Sequence, residues 1–313
     1  MTSRPPRNPI VPPGQIELMP RDMTVTMVGD VTLGQVSDRL AEHNQWLPID
    51  GPRDATIAAL VLRNSTGPLR LGYGAWRDFL LGCQFQTGDG RLISAGGRVI
   101  KNVAGYDLTK LIVGSFGCFG DPATFTARTY RKPTHALQLR FNPNSDILTK
   151  IFTTPLRPQY ALLTADALRL GYLGDERTIA FYRSESAKIE PRDTIDRSAD
   201  DDIAEHAQLW APSAAPNAFR AAVPPTRLRE FIAQANLTDH AADPAFGIVV
   251  GPTPSPSQLG EIARSLGGSC VRFDELGQPL PLDLPPETQQ LLIKLKQVFD
   301  PSQRFTRLPI LTA

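Results

Sequence analysis

Cysteine and histidine are scarce in this chain of 313 residues. The three cysteines, Cys83, Cys118 and Cys270, lie far apart and are odd in number, which fits neither a disulfide framework nor a CxxC metal or iron–sulfur site. The four histidines show no close spacing, so the sequence predicts no metal site. We expect reduced cysteines that mainly serve packing.

Charge of one sign and long hydrophobic runs are also lacking. Thirty-three basic residues against thirty-two acidic ones give a net charge of +1, which provides no global field for nucleic acid or an anionic membrane. No apolar run approaches the roughly 18 residues of a membrane span, and prolines stand early in the chain where a signal peptide would have its hydrophobic core. The sequence therefore favours a cytoplasmic protein.

Composition divides the chain into four parts. Residues 1–22 hold six prolines, which fix the backbone and remove donors, so we expect a disordered arm there. A first domain is predicted over 23–135 and a second over 136–285. Residues 286–313 would form a C-terminal helix and a tail that pack back on the first domain.

Local patterns predict the elements of the first domain. Met23–Val28 alternates like a strand, and Thr32 with Gln35 forms a capping-box signature before a helix. Two strand-like segments, 80–85 and 92–93, are joined by Gly88-Asp89-Gly90 and predict a β-hairpin.

The second domain shows strands and helices in alternation. Segments 168–172 and 178–182 are predicted as strands that flank a turn, and 191–205 as a solvated acidic loop without a function. The order strand, helix, strand, helix, strand over 219–273 is typical of a small α+β sandwich.

Two glycine clusters indicate where a ligand could bind: Ser65–Gly67 with Gly72–Gly74, and Gly105 with Gly114–Gly120. Glycine lets backbone N–H groups approach an anion such as a pyrophosphate, although such clusters also occur as plain turns. Neither cluster is a G-x-G-x-x-G between a strand and a helix, and no Walker-type GK[ST] occurs. Nicotinamide binding is therefore disfavoured.

Several short motifs together resemble one family. They are Thr56-Ile57, Asn64, Gly67-Pro68, Tyr73-Gly74, Trp76-Arg77-Asp78, the run KNVAGYD at 101–107 and the run GSFGCFG at 114–120. From about Asp54 to Pro133 the chain resembles the FAD-binding domain of p-cresol methylhydroxylase and vanillyl-alcohol oxidase relatives. Within that superfamily it is most like the smaller FAD-binding subunit of bacterial glycolate oxidase.

This resemblance implies an α+β fold: an FAD-binding domain with a truncated first subdomain, followed by a smaller, ferredoxin-like α+β sandwich. It implies an FAD-linked oxidoreductase subunit that oxidises a 2-hydroxy acid, glycolate to glyoxylate. The implied partners are a larger flavoprotein subunit and an iron–sulfur subunit, through which the protein would lie peripheral to the inner membrane.

The resemblance also implies a set of cofactor-binding positions. They are Thr56, Ile57, Ala58, Ala59, Asn64, Gly67, Pro68, Tyr73, Lys101, Gly105, Tyr106, Asp107, Ser115, Gly117 and Gly120. Tyr106 could instead be a core aromatic, Asp107 a helix cap and Lys101 a solvated lysine. No motif selects a catalytic residue.

Departures from the family pattern support an alternative function. No Pro-x-Gly-Gly-Gly-Thr-like loop stands upstream of Met23, and the usual Thr-Ile-Gly-Gly is Thr56-Ile-Ala-Ala59. Asp121-Pro122 replaces residues that would face the flavin, and the carboxylate would repel a nearby pyrophosphate. Residues 302–309 stand where an Asn-Pro-Gly-Arg segment is usual. The alternative is a degenerate flavin domain that binds little or no FAD and serves as an assembly scaffold for a partner flavoprotein.

Overall fold

The structure, a computed structural model, describes residues 15–97, 108–210, 218–252, 258–274, 279–282 and 284–310. The chain folds into two compact units. Unit 1 comprises Met1–Ser65, Gly74–Arg131 and Pro281–Ala313, and unit 2 comprises Thr66–Tyr73 and Lys132–Leu280.

The strands along the chain are β1 (Ile16–Met19), β2 (Thr24–Val28), β3 (Gln45–Trp46), β4 (Leu80–Gln86), β5 (Leu92–Gly96), β6 (Asp121–Arg128), β7 (Tyr130–Arg131), β8 (His135–Phe141), β9 (Tyr160–Thr164), β10 (Leu168–Gly174), β11 (Asp193–Ser198), β12 (Ala218–Ala222), β13 (Ala241–Asp243), β14 (Ile248–Pro252) and β15 (Ser269–Arg272). The helices are α1 (Leu33–Ala41), α2 (Ile57–Leu62), α3 (Arg70–Tyr73), α4 (Trp76–Phe79), α5 (Thr109–Ile112), α6 (Ile147–Ile151), α7 (Glu176–Ser186), α8 (Ala199–Trp210), α9 (Leu228–Gln234), α10 (Gln258–Ser265) and α11 (Pro286–Phe299).

Unit 1 is built on a five-stranded antiparallel sheet in the order β1-β2-β6-β4-β5. Alternate residues of a strand point to opposite faces, so Val25 and Met27 enter the hydrophobic core while Thr24 and Thr26 lie on the other face. The predicted hairpin is confirmed: β4 pairs with β5, and Gly90 in the connecting turn has a φ of +85°.

The predicted capping box of α1 is also confirmed. Thr32 Oγ1 accepts a hydrogen bond from the Gln35 amide at 3.2 Å, and Gln35 Oε1 accepts one from the Thr32 amide at 2.8 Å. Both bonds satisfy amides that the first helical turn would leave unpaired, and the helix then buries Leu33, Val36 and Leu40 against the sheet.

The N-terminal arm differs from the prediction. A disordered segment was expected over 1–22, but Ile16–Met19 is a strand that pairs with Thr24–Met27 of β2. The prediction was wrong for this strand because five of the six prolines come before residue 14, ahead of the strand. The sixth, Pro20, starts a short 3₁₀ turn between the two strands, a position that suits its fixed φ.

Unit 2 is built on an eight-stranded antiparallel sheet in the order β11-β8-β10-β9-β13-β14-β12-β15. Its core lies on one face, where Ile179 of α7, Phe231 of α9 and Leu259 of α10 pack against residues such as Leu139 and Phe219. The strands and helices predicted over 219–273 are present, but the structure adds β13 between α9 and β14, so the order there is strand, helix, strand, strand, helix, strand. Strands β8 to β11 extend the same sheet, which makes unit 2 larger than a small sandwich.

Two predictions in unit 2 are wrong. Residues 178–182 form part of α7, because Asp175 accepts the Thr178 amide at 2.8 Å as an N-cap and starts a helix where a strand was predicted. Residues 193–205 are the strand β11 and the first half of α8, which replace the predicted solvated loop. Two of its acidic residues, the fully buried Asp202 and the half-buried Glu205, pair with Arg197, and the Asp202 pair is 2.7 Å long.

The boundaries of the units also differ from the predicted domains. The segment Thr66–Tyr73 belongs to unit 2. The Gly72 amide donates to the Gln159 carbonyl at 2.9 Å, and a Cβ at Gly72 would lie 2.7 Å from Gln159 Cα. Helix α11 and the tail after it belong to unit 1, where Phe299 lies 6.1 Å from Phe85 between ring centroids.

Candidate functional site

The start of α2 is closed by hydrogen bonds within the chain. Thr56 is its N-cap, and Thr56 Oγ1 accepts the Ala59 amide at 3.2 Å. The Ile57 and Ala58 amides donate to the carbonyls of Val31 and Gly29, both at 2.9 Å. The amides of Ile57, Ala58 and Ala59 are therefore bonded within the chain. A helix start usually leaves such amides unpaired and able to bind an anion, but these three are not available.

The side chain of Ala58 fills the space beside this turn. A Cβ added at Gly29 would lie 3.1 Å from Ala58 Cβ and 3.2 Å from the Pro122 carbonyl oxygen. Pro122 stands opposite Phe85 at an irregularity of the β4–β6 ladder, and Asp121 is exposed. The alanine methyl thus packs against backbone in the place where a glycine would leave room.

The loop Gly114–Gly120 lies directly beside the end of α2. The Gly114 amide donates to the Val61 carbonyl at 3.0 Å and the Phe116 amide to the Leu62 carbonyl at 2.9 Å. Three of its residues have left-handed backbone: Gly114 at φ +79°, Phe116 at +53° and Gly117 at +77°. The Ser115 and Cys118 amides also donate within the chain, to the Ile112 and Ser115 carbonyls, so these bonds and the left-handed residues together fix a tight turn.

Asn64, Ser115 and Gly117 come together in this loop pair. Asn64 has a φ of +50°, and a Cβ at Gly114 would lie 3.4 Å from Asn64 Cβ. Ser115 Oγ accepts the Gly117 amide at 3.3 Å. A Cβ at Gly117 would meet no atom closer than 3.6 Å, so this side of the loop has room for another group.

Gly120 has a different reason to be glycine. A Cβ there would lie 2.5 Å from Phe85 Cδ2, and Phe85 is fully buried. The position is therefore required for core packing, and the structure gives no open approach to its backbone.

Lys296, which the sequence argument did not single out, holds the same loop from α11. Its Nζ donates to the carbonyls of Cys118 at 2.9 Å and Thr306 at 2.8 Å and pairs with Asp300 Oδ2 at 2.7 Å. Asp300 also accepts the amides of Arg304 and Phe305. The i, i+4 spacing of Lys296 and Asp300 near the end of a helix was the signal for this pair.

A polar cavity of about 250 Å³ lies on the sheet face opposite the core of unit 1. Thr26 and Thr126 share a hydrogen bond at 2.9 Å, Thr124 Oγ1 donates to Gln84 Oε1 at 3.3 Å, and Gln84 Nε2 donates to Ser94 Oγ at 2.9 Å. The lining residues are Thr26, Gly82, Cys83, Gln84, Ser94, Ala95, Gly96, Gly97, Thr124 and Thr126.

The remaining predicted site residues lie elsewhere. Gly67, Pro68 and Tyr73 are in unit 2, where the Gly67 and Pro68 carbonyls accept the amides that open α3. The other four, Lys101, Gly105, Tyr106 and Asp107, lie outside the described residues. Within the described ranges, no group of histidine, cysteine and acidic side chains is arranged to hold a metal ion.

Comparison with known proteins gives this arrangement its context. Residues 13–96 match the family described as FAD binding domain. The match covers Thr56 to Ala59 and the strands that line the cavity on one side, and it indicates FAD as the cofactor of the domain.

Curated relatives agree with this family. Over 130 residues the chain is 35% identical to the glycolate oxidase subunit GlcE of Escherichia coli, covering 41% of this chain and 37% of that protein. Over 102 residues it is 37% identical to a D-lactate dehydrogenase of Archaeoglobus fulgidus, covering 32% of this chain and 22% of that protein. The chain thus spans well under half the length of these relatives.

The fold has a solved counterpart. The structure of alkyldihydroxyacetonephosphate synthase matches with a TM-score of 0.63 and 13% identity, covering 90% of this chain and 64% of that one. At this identity the likeness concerns the fold alone. No helix that the structure describes is long and apolar enough to cross a membrane.

The described residues fit the polar part of FAD. Hydroxyls, an amide side chain and the glycines Gly82, Gly96 and Gly97 line the cavity, which suits ribose or ribityl oxygens and phosphate. At about 250 Å³ the cavity lies below the roughly 300–1,000 Å³ of sites that enclose a whole ligand of this size. It would therefore hold part of the dinucleotide, with the loop Gly114–Gly120 as a second contact.

Proposed function

We propose that this chain is the FAD-binding subunit of a glycolate oxidase-like complex that oxidises a 2-hydroxy acid, glycolate to glyoxylate. The observation that carries the proposal is the 35% identity to a glycolate oxidase subunit over 130 residues, together with the FAD binding domain match over residues 13–96. The polar cavity and the left-handed loop in the same unit support it.

The chain's own residues would bind and orient the cofactor. Bound FAD supplies a two-electron acceptor for the substrate's α-hydrogen. Thr124, Thr126 and Gln84 would donate to its polar groups from the cavity, and Asn64, Ser115 and Gly117 would contact it from the loop pair. Lys296 would keep that loop in place through the Cys118 carbonyl. Thr56 to Ala59 would form the wall of the site, because their amides are already bonded.

The remaining candidates complete the proposal. Gly67, Pro68 and Tyr73 in unit 2, and Lys101 and Gly105–Asp107 outside the described residues, are proposed to contact the cofactor on the strength of the family resemblance. The proposed partners are a larger flavoprotein subunit and an iron–sulfur subunit, and a peripheral position at the inner membrane would follow from them.

Reduction of the flavin by substrate tests the oxidoreductase function. The chain is purified with its partners and mixed with glycolate without oxygen. We expect the oxidised flavin absorbance to bleach, and glycolamide, which lacks the carboxylate, to leave it unchanged. A flavin that glycolate does not reduce would contradict the proposed reaction.

The assembly scaffold is the second candidate. It is favoured by the closed start of α2 and by Ala58, whose methyl lies 3.1 Å from the place of a Cβ at Gly29. The double substitution Ala58→Gly and Ala59→Gly separates the two. If the pocket is present but restricted, flavin occupancy should rise. If occupancy stays at zero while the chain still copurifies with a partner flavoprotein, the scaffold is the better account.

A further inference from the structure

Asp300 is a buried carboxylate at the C-terminal end of α11, where it is 1% exposed. Its Oδ1 accepts the Arg304 amide at 2.8 Å. Its Oδ2 accepts the Phe305 amide at 3.0 Å and pairs with Lys296 Nζ at 2.7 Å. Burial raises the pKa of Asp300, but these hydrogen bonds outweigh burial and hold the pKa below the usual 3.8. The carboxylate is therefore ionised at neutral pH, and it binds the tail back onto the helix.

The turn between β4 and β5 is built against the same carboxylate. A Cβ at Gly88 would clash with Asp300 Oδ1 and would lie 2.8 Å from Asp300 Cα. The Gly88 amide donates to the Phe299 carbonyl at 2.8 Å, and the Gly88 carbonyl accepts Arg304 Nη1 at 3.3 Å. Because glycine has no side chain, this turn can lie directly on the end of α11.

The loop Gly114–Gly120 is joined to Asp300 through Lys296. The ammonium group that pairs with Asp300 also donates to the Cys118 carbonyl at 2.9 Å. Further along the tail, Cys118 Sγ donates to the Arg307 carbonyl at 3.4 Å. The loop is thus attached to α11 and to the tail on both sides of Cys118.

The position of Asp300 is not explained by the stability of α11 alone. The carbonyl end of a helix carries partial negative charge, so a carboxylate there is opposed by the helix dipole. Asp300 instead stands where two segments of the proposed flavin site meet. The turn at Gly88 closes the hairpin whose strands line the polar cavity, and Lys296 holds the loop that forms the second contact.

We infer that Asp300 is a positioning residue for the flavin site, and that its carboxylate holds the β4–β5 hairpin and the loop Gly114–Gly120 in one arrangement. The identification of the ligand as FAD rests on the proposed function. Asp300 does not line the cavity itself and acts through Gly88 and Lys296. A change on either side of the carboxylate should therefore alter how the flavin is held.

Titration of the full chain with FAD tests the inference from both sides of the carboxylate. Asp300→Asn keeps the shape of the side chain but removes the charge that pairs with Lys296, and Gly88→Ala places a methyl group against Asp300. Each should raise the FAD dissociation constant roughly tenfold, because each disturbs charge-assisted hydrogen bonds. Asp89→Asn is the matched control, since Asp89 is an exposed carboxylate on the same turn. It should bind FAD like the wild type.

Two further readouts separate positioning from a general loss of stability. The visible circular dichroism of the bound flavin, measured at saturating FAD, reports how the flavin sits in its site. It should change in Asp300→Asn and in Gly88→Ala, whereas a merely structural role would leave it unchanged. Gly88→Ala should also weaken FAD binding less in an Asp300→Gly chain than in the wild type, because the side chain that the methyl group meets is gone.

The inference is overturned if Asp300→Asn folds normally and binds FAD with the wild-type dissociation constant and visible spectrum. Gly88→Ala decides in the same way if Asp300→Asn fails to fold. A wild-type chain that takes up no FAD would count against the proposed function, and hydrogen exchange of the flavin-free chain then tests the positioning. Asp300→Asn should speed exchange in β5 and in the loop Gly114–Gly120 together, and unchanged exchange in both would overturn the inference.

Discussion

The two sheets bury polar side chains of different kinds on the face opposite their hydrophobic cores. In unit 1 these are neutral, with Thr26, Thr126, Thr124 and Gln84 bonded to one another around the cavity. In unit 2, on the part of this face near α8, they are charged. Tyr160 and Gln138 donate to Asp202 at 2.8 and 3.2 Å, and Arg197 donates to the same carboxylate.

The difference bears on which of the two faces could accept a polar ligand. Neutral hydroxyls exchange partners at small cost and serve as donors or acceptors, so a polar ligand can join them. Buried charges in low dielectric must keep their partners, and a network of this kind fixes its geometry. The network of unit 2 is thus a rigid support, and the neutral face of unit 1 is suited to a cofactor.

Removal of the central charge of unit 2 should have the largest effect. Asp202→Ala leaves Arg197 and Tyr160 without the buried carboxylate, and we expect a loss of about 3–5 kcal/mol in the free energy of unfolding. Denaturant unfolding measures it. Asp200→Ala is the control, because Asp200 is exposed and pairs only with Lys132 in a surface salt bridge of about 0–1 kcal/mol. An equal loss of unfolding free energy in Asp202→Ala and Asp200→Ala would contradict the view that the buried charge network stabilises unit 2.

The loss of the buried ion pair between Lys296 and Asp300 in unit 1 should rank second. Lys296→Met leaves the buried Asp300 carboxylate with the two amides alone and releases the Cys118 and Thr306 carbonyls. We expect a cost of about 2–3 kcal/mol and weaker flavin retention, because the loop Gly114–Gly120 loses its tie to α11. Lys294→Met, an exposed change on the same helix, should leave both quantities unchanged.

Acid should affect unit 2 through its network. Burial raises the pKa of Glu205, but the hydrogen bond and charge of Arg197 outweigh this and hold it below the usual 4.5. A lowered folded-state pKa contributes stability above the unfolded value that is lost as pH falls through the folded one. The denaturant concentration at the unfolding midpoint should therefore fall as the pH is lowered through about 4.5. It should fall less steeply in Arg197→Gln. If stability depends on pH in Arg197→Gln as it does in the wild type, the pair of Arg197 and Glu205 does not contribute to the acid sensitivity.

The smallest effect is expected in the neutral network. Thr26→Val removes one partner of the bond to Thr126 and should cost about 1 kcal/mol. Replacing both threonines by valine should restore most of that loss, since no hydroxyl is left without a partner. If the double valine variant loses several kcal/mol of unfolding free energy, as expected for a buried charged network, the distinction between the two networks is wrong.

Local patterns predicted much of the fold, since the capping box at Thr32 and the hairpin at Gly88–Gly90 depend on neighbours in sequence. These local patterns could not predict contacts between residues that are far apart in the sequence. The acidic run before Glu205 looked like a solvated loop, because the partners Gln138 and Tyr160 come from distant strands. Residues 178–182 were predicted as a strand, in which Ile179 and Phe181 would share a face, yet Ile179 is buried and Phe181 is 48% exposed on a helix.

The candidate site shows the same limit. The glycine clusters led to the prediction of a site at Gly114–Gly117, but the cavity beside β4 and β6 and the contact with Lys296 arise only when distant segments meet.

Titration of the purified chain with FAD tests the central claim most directly. Quenching of flavin fluorescence should saturate at one FAD per chain, and Lys296→Met should weaken the binding while Lys294→Met should not. A titration without saturation, in a chain that circular dichroism shows to be folded, would contradict the account of unit 1 as a flavin-binding domain.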